Sequence, residues 1–95
     1  MIQWETECGG YRWVMTCAAC PEQYDVYSGE SLVAYVRFRY GQLAMWSVND
    51  DTDTRHLEYC HSFPDDMQGT FDDDYERESY MDVMARELDT HLASR

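Results

Sequence analysis

Apolar and polar side chains alternate along residues Ser31–Val48, which read SLVAYVRFRYGQLAMWSV. A period of two puts successive side chains on opposite faces of a strand, so this stretch predicts two β-strands that meet near Gly41. The inner face of the first strand is predicted to hold Leu32, Ala34, Val36, Phe38 and Tyr40. The outer face of the pair is predicted to hold Tyr35, Arg37, Arg39, Trp46 and Val48.

The glycine in this stretch sets the predicted turn. Glycine adopts positive φ without steric cost, and a type II′ turn requires it at the first central position, so the turn is placed at Gly41-Gln42. This register pairs Tyr40 with Leu43. It also puts Arg37 directly opposite Trp46, at a separation that suits a cation–π contact.

An earlier hairpin is predicted for residues Ile2–Cys17. The predicted inward-facing residues have even numbers before Gly9-Gly10 and odd numbers after it. Two adjacent glycines are typical of a two-residue hairpin loop. The resulting register pairs each member of one apolar set with a member of the other: Cys8 with Tyr11, Thr6 with Trp13, Trp4 with Met15, and Ile2 with Cys17.

Two further strands and one helix complete the predicted elements. Tyr24–Ser28 is a short strand, and His56–Phe63 is a longer one. The inward side of this longer strand is predicted to carry Leu57, Tyr59, His61 and Phe63. Thr70–Leu92 is predicted to be a helix capped by Asp72 or Asp73. Its apolar stripe at helical spacing consists of Met81, Met84, Ala85, Leu88 and Leu92.

These elements predict an α+β fold in which one helix covers one face of a sheet. The sheet is antiparallel, has five to six strands and is built from hairpins, and the C-terminal helix packs on one of its faces. With no repeat and no linker, residues 1–95 are expected to form a single domain.

The charge of the chain argues against several ligands. Seven Lys+Arg against nineteen Asp+Glu give a formal net charge of −12. Direct binding of nucleic acid and binding to an anionic membrane surface both require clustered positive charge, so neither is expected. No signal peptide or membrane-spanning segment is evident, which predicts a cytoplasmic protein whose four cysteines are reduced.

Cys17 and Cys20 form a CxxC motif, which is typical of half a zinc site or of a redox pair. The redox interpretation needs a helix after the motif, and here a proline and a strand follow. A zinc site would need two more ligands, and His56 and Cys60 are predicted to share one strand face. The alternatives are that these cysteines are buried as small core residues, with no cofactor, or that Cys60 forms a disulfide with Cys17 or with Cys20 in an oxidising setting.

The negative charge is concentrated in the second half of the chain, where residues 49–95 carry a net charge of −10. One interpretation is a solvated surface that keeps the protein soluble. The other is a shaped surface that imitates a nucleic-acid backbone and fills the basic groove of a protein that handles nucleic acid. The candidate partner-binding residues are Asp50, Asp51, Asp53, Asp72, Asp73, Asp74 and Glu76. No catalytic motif is recognisable, so an enzyme is not expected.

A second candidate patch lies on the outer face of the central hairpin. Tyr35, Arg37, Arg39 and Trp46 are residue types that are favoured at interface hot spots. Arg37 and Arg39 are also explained if their apolar stems simply cover a half-exposed sheet. Because a single helix covers only one face, a homodimer that buries the other face is a further hypothesis.

Three segments, ACPEQYDVY, LVAYVRFRYGQLAMW and GTFDDDYERESYM, resemble a class of small uncharacterised phage proteins. The similarity covers roughly residues 19–82 and includes no catalytic motif. The resemblance implies a phage or prophage accessory protein, of the kind that counters a host defence such as CRISPR. It implies no particular site residues.

Overall fold

The chain folds into a six-stranded antiparallel sheet whose strands lie side by side in sequence order. A computed structural model describes residues 5–17, 22–49 and 54–93. The strands are β1 Glu5–Cys8, β2 Tyr11–Cys17, β3 Glu22–Ser28, β4 Ser31–Arg39, β5 Gln42–Asn49 and β6 Thr54–Ser62. One helix, α1 Asp74–Ala93, follows them. The predicted α+β architecture is confirmed.

The first hairpin has the predicted register. Cys8 pairs with Tyr11 and Thr6 pairs with Trp13, while the predicted pairs that involve residues 2 and 4 lie outside the described residues. Gly9 and Gly10 both have positive φ, as a type I′ turn requires. A Cβ on Gly9 would collide with the Cβ of Ala85, so the turn lies directly against α1.

The central hairpin turns one residue earlier than predicted. Tyr40 and Gly41 are the two central residues, with φ of 53° and 71°, so the turn is of type I′ and the predicted type II′ turn is wrong. The backbone of Gly41 donates to Gln68 O and accepts from Phe63 N, and these contacts with the following loop fix its position. The register moves by two residues, so the pairing changes while the strand residues keep their faces. Tyr40, which was predicted to point inward, lies in the turn and is 60% exposed, so that prediction is wrong.

Two β-bulges change which side chains point inward. One lies between Val26 and Tyr27 and moves Leu32 to a position opposite Tyr27, away from the inner set to which it was assigned. The other lies between β5 and β6, where the pairing shifts between Met45 and Trp46, and it places Leu57 opposite Trp46. Leu57 is 57% exposed, so its predicted inward position is wrong. An extra residue in one strand reverses the parity of every position beyond it.

The helix and the inner face of the sheet enclose the core. The largest fully buried side chains of the sheet include Trp13, Phe38 and Met45, and they pack with a stripe of α1: Met81, Met84, Ala85 and Leu88. Both edge strands, β1 and β6, contact α1, so the sheet curves around the helix. Among the described residues nothing covers the outer face. No described helix is long and apolar enough to cross a membrane.

The helix begins at Asp74, not at Thr70 as predicted. The backbone before it is held by the sheet, since Glu22 N donates to Gly69 O and Phe71 N donates to the Glu22 carboxylate. These bonds fix an irregular segment that closes one end of the core with the buried ring of Phe71.

Candidate functional site

Acidic residues collect in the loop before α1 and in the helix itself. Residues 64–93 contain ten Asp+Glu and two arginines, a net charge of −8. At the start of this segment the carboxylates of Asp65, Asp66, Asp72, Asp73 and Asp74 are exposed, and Glu76 is half-buried. We call these six residues the acidic surface. The four helix-side candidates occupy the N-terminal cap and the first turn of α1, and Asp65 and Asp66 lie earlier in the loop that leads to it.

Several of these carboxylates also build the helix N-terminus. Asp73 Oδ1 accepts from Glu76 N at 2.7 Å, so Asp73 is the N-cap. Glu76 Oε1 accepts in return from Asp72 N at 3.2 Å, in an arrangement close to a capping box. Asp74 pairs with Arg77. Asp66 and Asp72 are the members whose side chains have no hydrogen bond to another described residue.

The acidic surface is fixed to the sheet by a buried carboxylate. Glu22 at the start of β3 is 1% exposed. Its Oε1 accepts from Arg77 Nε at 2.7 Å and from Tyr24 Oη at 2.8 Å. Its Oε2 accepts from Phe71 N and Thr70 Oγ1, each at 3.3 Å. One side chain therefore joins β3, the loop before α1 and the first turn of α1.

Burial and charge act together on the groups around Glu22. Burial raises the pKa of Tyr24, and its hydrogen bond to Glu22 raises it further. Burial by itself would lower the pKa of Arg77, but the hydrogen bond and charge of Glu22 outweigh that effect and raise it. Both groups therefore keep their protons, and the network stays intact over the physiological range. Sequence reasoning missed Glu22, although it has the same strand parity as Tyr24 and Val26.

The other predicted partner-binding residues are not shown to join this surface. Asp50, Asp51 and Asp53 lie outside the described residues. The strand ends on either side of them, Asn49 and Thr54, pair with each other at the opposite end of the sheet from the Tyr40-Gly41 turn. That end is about 24 Å from the turn at roughly 3.4 Å per residue.

The second candidate patch is present on the outer face of the sheet. Tyr35 and Trp46 are cross-strand partners whose ring centroids are 5.9 Å apart. The Arg37 guanidinium lies 5.4 Å from the Trp46 ring, across the diagonal and not directly opposite as predicted. Arg55 lies 5.2 Å from the Tyr35 ring.

The patch extends beyond the predicted residues. Arg39 lies 4.6 Å from the ring of Tyr40, which is 60% exposed. A shallow hollow of about 260 Å³ joins this pair to exposed Leu57 and to Arg37. We call the whole set the arginine–aromatic face: Tyr35, Arg37, Arg39, Tyr40, Trp46, Arg55 and Leu57.

The arginines of this face have no ionic partner in the part of the chain that the structure describes. Arg37, Arg39 and Arg55 form no ion pair with any other described residue. One carboxylate, Asp25, pairs in register with Tyr35 on the same face. Burial raises the pKa of Asp25, and the nearby charge of Arg55 partly offsets that rise. The face therefore has an excess of positive charge.

The structure does not bring the predicted zinc ligands together. Cys17 lies on β2, whereas His56 and Cys60 lie on β6, four strand spacings or about 19 Å away. The bulge in β6 also puts His56 opposite inward-facing Ser47 and Cys60 opposite Ala44, so the two do not share a face. Cys20 lies outside the described residues. Within the described ranges no group of three or more His, Cys, Asp and Glu is arranged to hold a metal ion.

A serine, a glutamate and a histidine meet near the C-terminal end of α1. Ser47 Oγ donates to Glu58 Oε1 at 3.0 Å, and His91 Nδ1 lies 3.1 Å from the same oxygen. A catalytic triad places the histidine between the nucleophile and the carboxylate, whereas here the carboxylate is in the middle. Ser47 is also 1% exposed, so this cluster ties α1 to β6.

Comparison with known proteins adds no relative: no family model, curated protein or solved structure matches the chain. The two surfaces and the fold that separates them are therefore the basis for inferring function.

Proposed function

We propose that this protein is a non-enzymatic, phage-type inhibitor that binds a host protein which handles nucleic acid. The acidic surface occupies the basic groove of that partner in place of a nucleic-acid backbone. Phosphate-binding grooves are lined by Lys and Arg, so a row of carboxylates on a folded protein is complementary to them.

The one-sided distribution of charge is the observation that carries this proposal. The segment 64–93 has a net charge of −8, while the outer face of the sheet carries three arginines that form no ion pair with another described residue. A surface evolved only for solubility gains from having both signs interspersed. Separation of the signs instead orients the protein in the field of a charged partner and increases the rate of productive encounter.

The rigidity of the acidic surface supports the proposal further. The Glu22 network and the Asp73 cap fix the loop and the first helical turn before any partner arrives. A flexible acidic segment would lose conformational entropy on binding, whereas a fixed one avoids that cost.

Two exposed apolar side chains lie among these carboxylates. Met67 follows Asp65 and Asp66 in the loop and is 71% exposed, and Tyr75 in the first turn of α1 is 81% exposed. Aromatic anchors provide much of the affinity of protein interfaces, while surrounding charges mainly provide orientation. The exposed side chains of Met67 and Tyr75 therefore favour a surface that binds a protein partner over one that only keeps the protein soluble.

Capture from a bacterial lysate on immobilised protein, followed by elution with duplex DNA, tests the proposal. A partner whose nucleic-acid site is occupied should be released by DNA and by raised salt. Asp66→Asn with Asp72→Asn should abolish its capture, because these two carboxylates have no structural hydrogen bond within the described residues. The matched control is Glu7→Gln with Glu30→Gln, which removes the same charge from exposed positions elsewhere.

Three outcomes contradict the proposal. The control pair could lose the partner as fully as the Asp66 and Asp72 pair does, which would indicate a response to net charge alone. DNA could fail to elute the captured protein, which would place the contact outside a nucleic-acid site. Finally, the captured protein could keep its full nucleic-acid-dependent activity in the complex, which would rule out inhibition.

A further inference from the structure

The arginine–aromatic face has no ionic counterpart among the described residues of its own chain. The protein has nineteen acidic and seven basic residues, so an arginine has many carboxylates available to it. Arg37, Arg39 and Arg55 nevertheless pair with none of the described residues, and they lie together around Trp46 on the uncovered side of the sheet. This arrangement fits an external partner that brings both negative charge and apolar surface.

Packing of two identical faces against each other does not satisfy these arginines. A symmetric contact through this face would place two copies of the same three arginines in one interface, and like charges that are juxtaposed there weaken association. A symmetric homodimer through this face is therefore disfavoured. The partner surface has to be acidic.

The acidic surface of a second copy has the required chemistry. It carries exposed carboxylates around Met67 and Tyr75, while the arginine–aromatic face carries arginines around Tyr40 and Leu57. Charge and exposed apolar groups are therefore both matched between the two surfaces. We infer that the protein self-associates head to tail, with the acidic surface of one copy on the arginine–aromatic face of the next.

The fold makes such an assembly extendable. The helix lies on one side of the sheet and the outward-facing arginines lie on the other, while the loop that carries Asp65 and Asp66 passes the Tyr40-Gly41 turn at one end of the sheet. Each copy therefore offers one donor and one acceptor surface. Contacts of this kind generate open filaments, or closed rings where the rotation permits. Each sheet would then be covered on both sides, which is the usual solution for a sheet with two apolar faces.

Self-association would also bear on the proposed inhibition, because both use the acidic surface. The arginine–aromatic face of a neighbour would compete with the basic groove of the partner. The inference does not depend on the identity of that partner, and it stands even if no host protein is captured.

Sedimentation velocity on two variants and their mixture tests the inference. The sheet-face variant, Arg37→Glu with Arg39→Glu, retains a normal acidic surface. The acidic-surface variant, Asp66→Asn with Asp72→Asn and Tyr75→Ala, retains a normal arginine–aromatic face. Wild type should form larger species as concentration rises, and added salt should dissociate them. Each variant alone should associate at least roughly tenfold more weakly, because one side of every contact is lost.

The mixture gives the decisive result. Head-to-tail pairing predicts that the two variants together form a one-to-one complex that does not extend, because each supplies the surface that the other lacks. Wild type that stays monomeric at every concentration overturns the inference. A dimer formed by either variant alone, or a mixture that stays monomeric, overturns it equally. If the sheet-face variant fails to fold by circular dichroism, Leu57→Glu at an exposed position replaces it.

Discussion

Replacement of Glu22 by glutamine tests how firmly the acidic surface is fixed. The substitution preserves the size of the side chain and removes its charge. Arg77, whose side chain is 14% exposed, then loses its buried ionic partner and retains its ion pair with the exposed carboxylate of Asp74. Each carboxylate oxygen of Glu22 accepts from two donors. In glutamine an NH₂ group, which is itself a donor, replaces one of these oxygens and faces one of the two pairs of donors.

The expected cost follows from these contacts. Breaking one side of a buried ion pair costs about 3–5 kcal/mol, and Asp74 compensates in part, so we expect a loss of about 3 kcal/mol. For a domain of this size, each kcal/mol lowers the melting temperature by roughly 4–8 °C, which gives a fall of about 12–24 °C. Glu30→Gln in an exposed turn is the control and should stay within about 0.5 kcal/mol of wild type.

Urea unfolding followed by tryptophan fluorescence measures the change in the free energy of unfolding. A double-mutant cycle with Arg77→Met then separates the pair from its surroundings. The double variant should be more stable than the sum of the single losses implies, because neither charge is left buried alone. A loss below about 1 kcal/mol for Glu22→Gln, or additive losses in the cycle, would refute the assigned role of this network.

Two further predictions concern other contacts of the fold. Burial and the hydrogen bond to Asp89 raise the pKa of Tyr11 to about 12. Because this pKa exceeds the unfolded value of about 10, the stabilisation is complete below pH 10, and about 3 kcal/mol of it is lost as pH rises through 12. Tyr11→Phe should remove this part of the pH dependence, and an identical alkaline profile would contradict it. Gly41→Ala places a Cβ 2.5 Å from Asp65 O at positive φ, so it should cost at least about 2 kcal/mol more than Gly29→Ala, whose Cβ meets open space. Equal unfolding midpoints for the two glycine variants would contradict this account.

The faces of the strands were predictable from sequence because they depend only on a period of two. Val36 and Phe38 point inward and Arg37 points outward wherever the hairpin turns, since any shift by two residues preserves the faces. The turn itself was not predictable, because contacts with a loop more than twenty residues later determine where Gly41 lies. Local turn preference favoured Gly41-Gln42, and the structure has Tyr40-Gly41, where Gly41 contacts that loop.

The candidate site was predictable in its composition and not in its assembly. The acidic residues around Asp72 could be located from charge alone. The bulge near Trp46 could not, and it separates His56 from Cys60 and exposes Leu57. Glu22 was missed for a related reason: a carboxylate is buried only when its partners arrive, and those partners are about fifty residues away.

The position of α1 after all six strands has a consequence for synthesis of the protein. Every strand emerges from the ribosome before the element that shields the inner face, which includes Trp13 and Phe38. Until α1 arrives, the nascent sheet exposes an apolar surface, and incomplete chains are therefore prone to aggregate or to bind chaperones. Completion of the native state must await the helix, and a bond such as that from Tyr11 to Asp89 can form only after α1 has been synthesised.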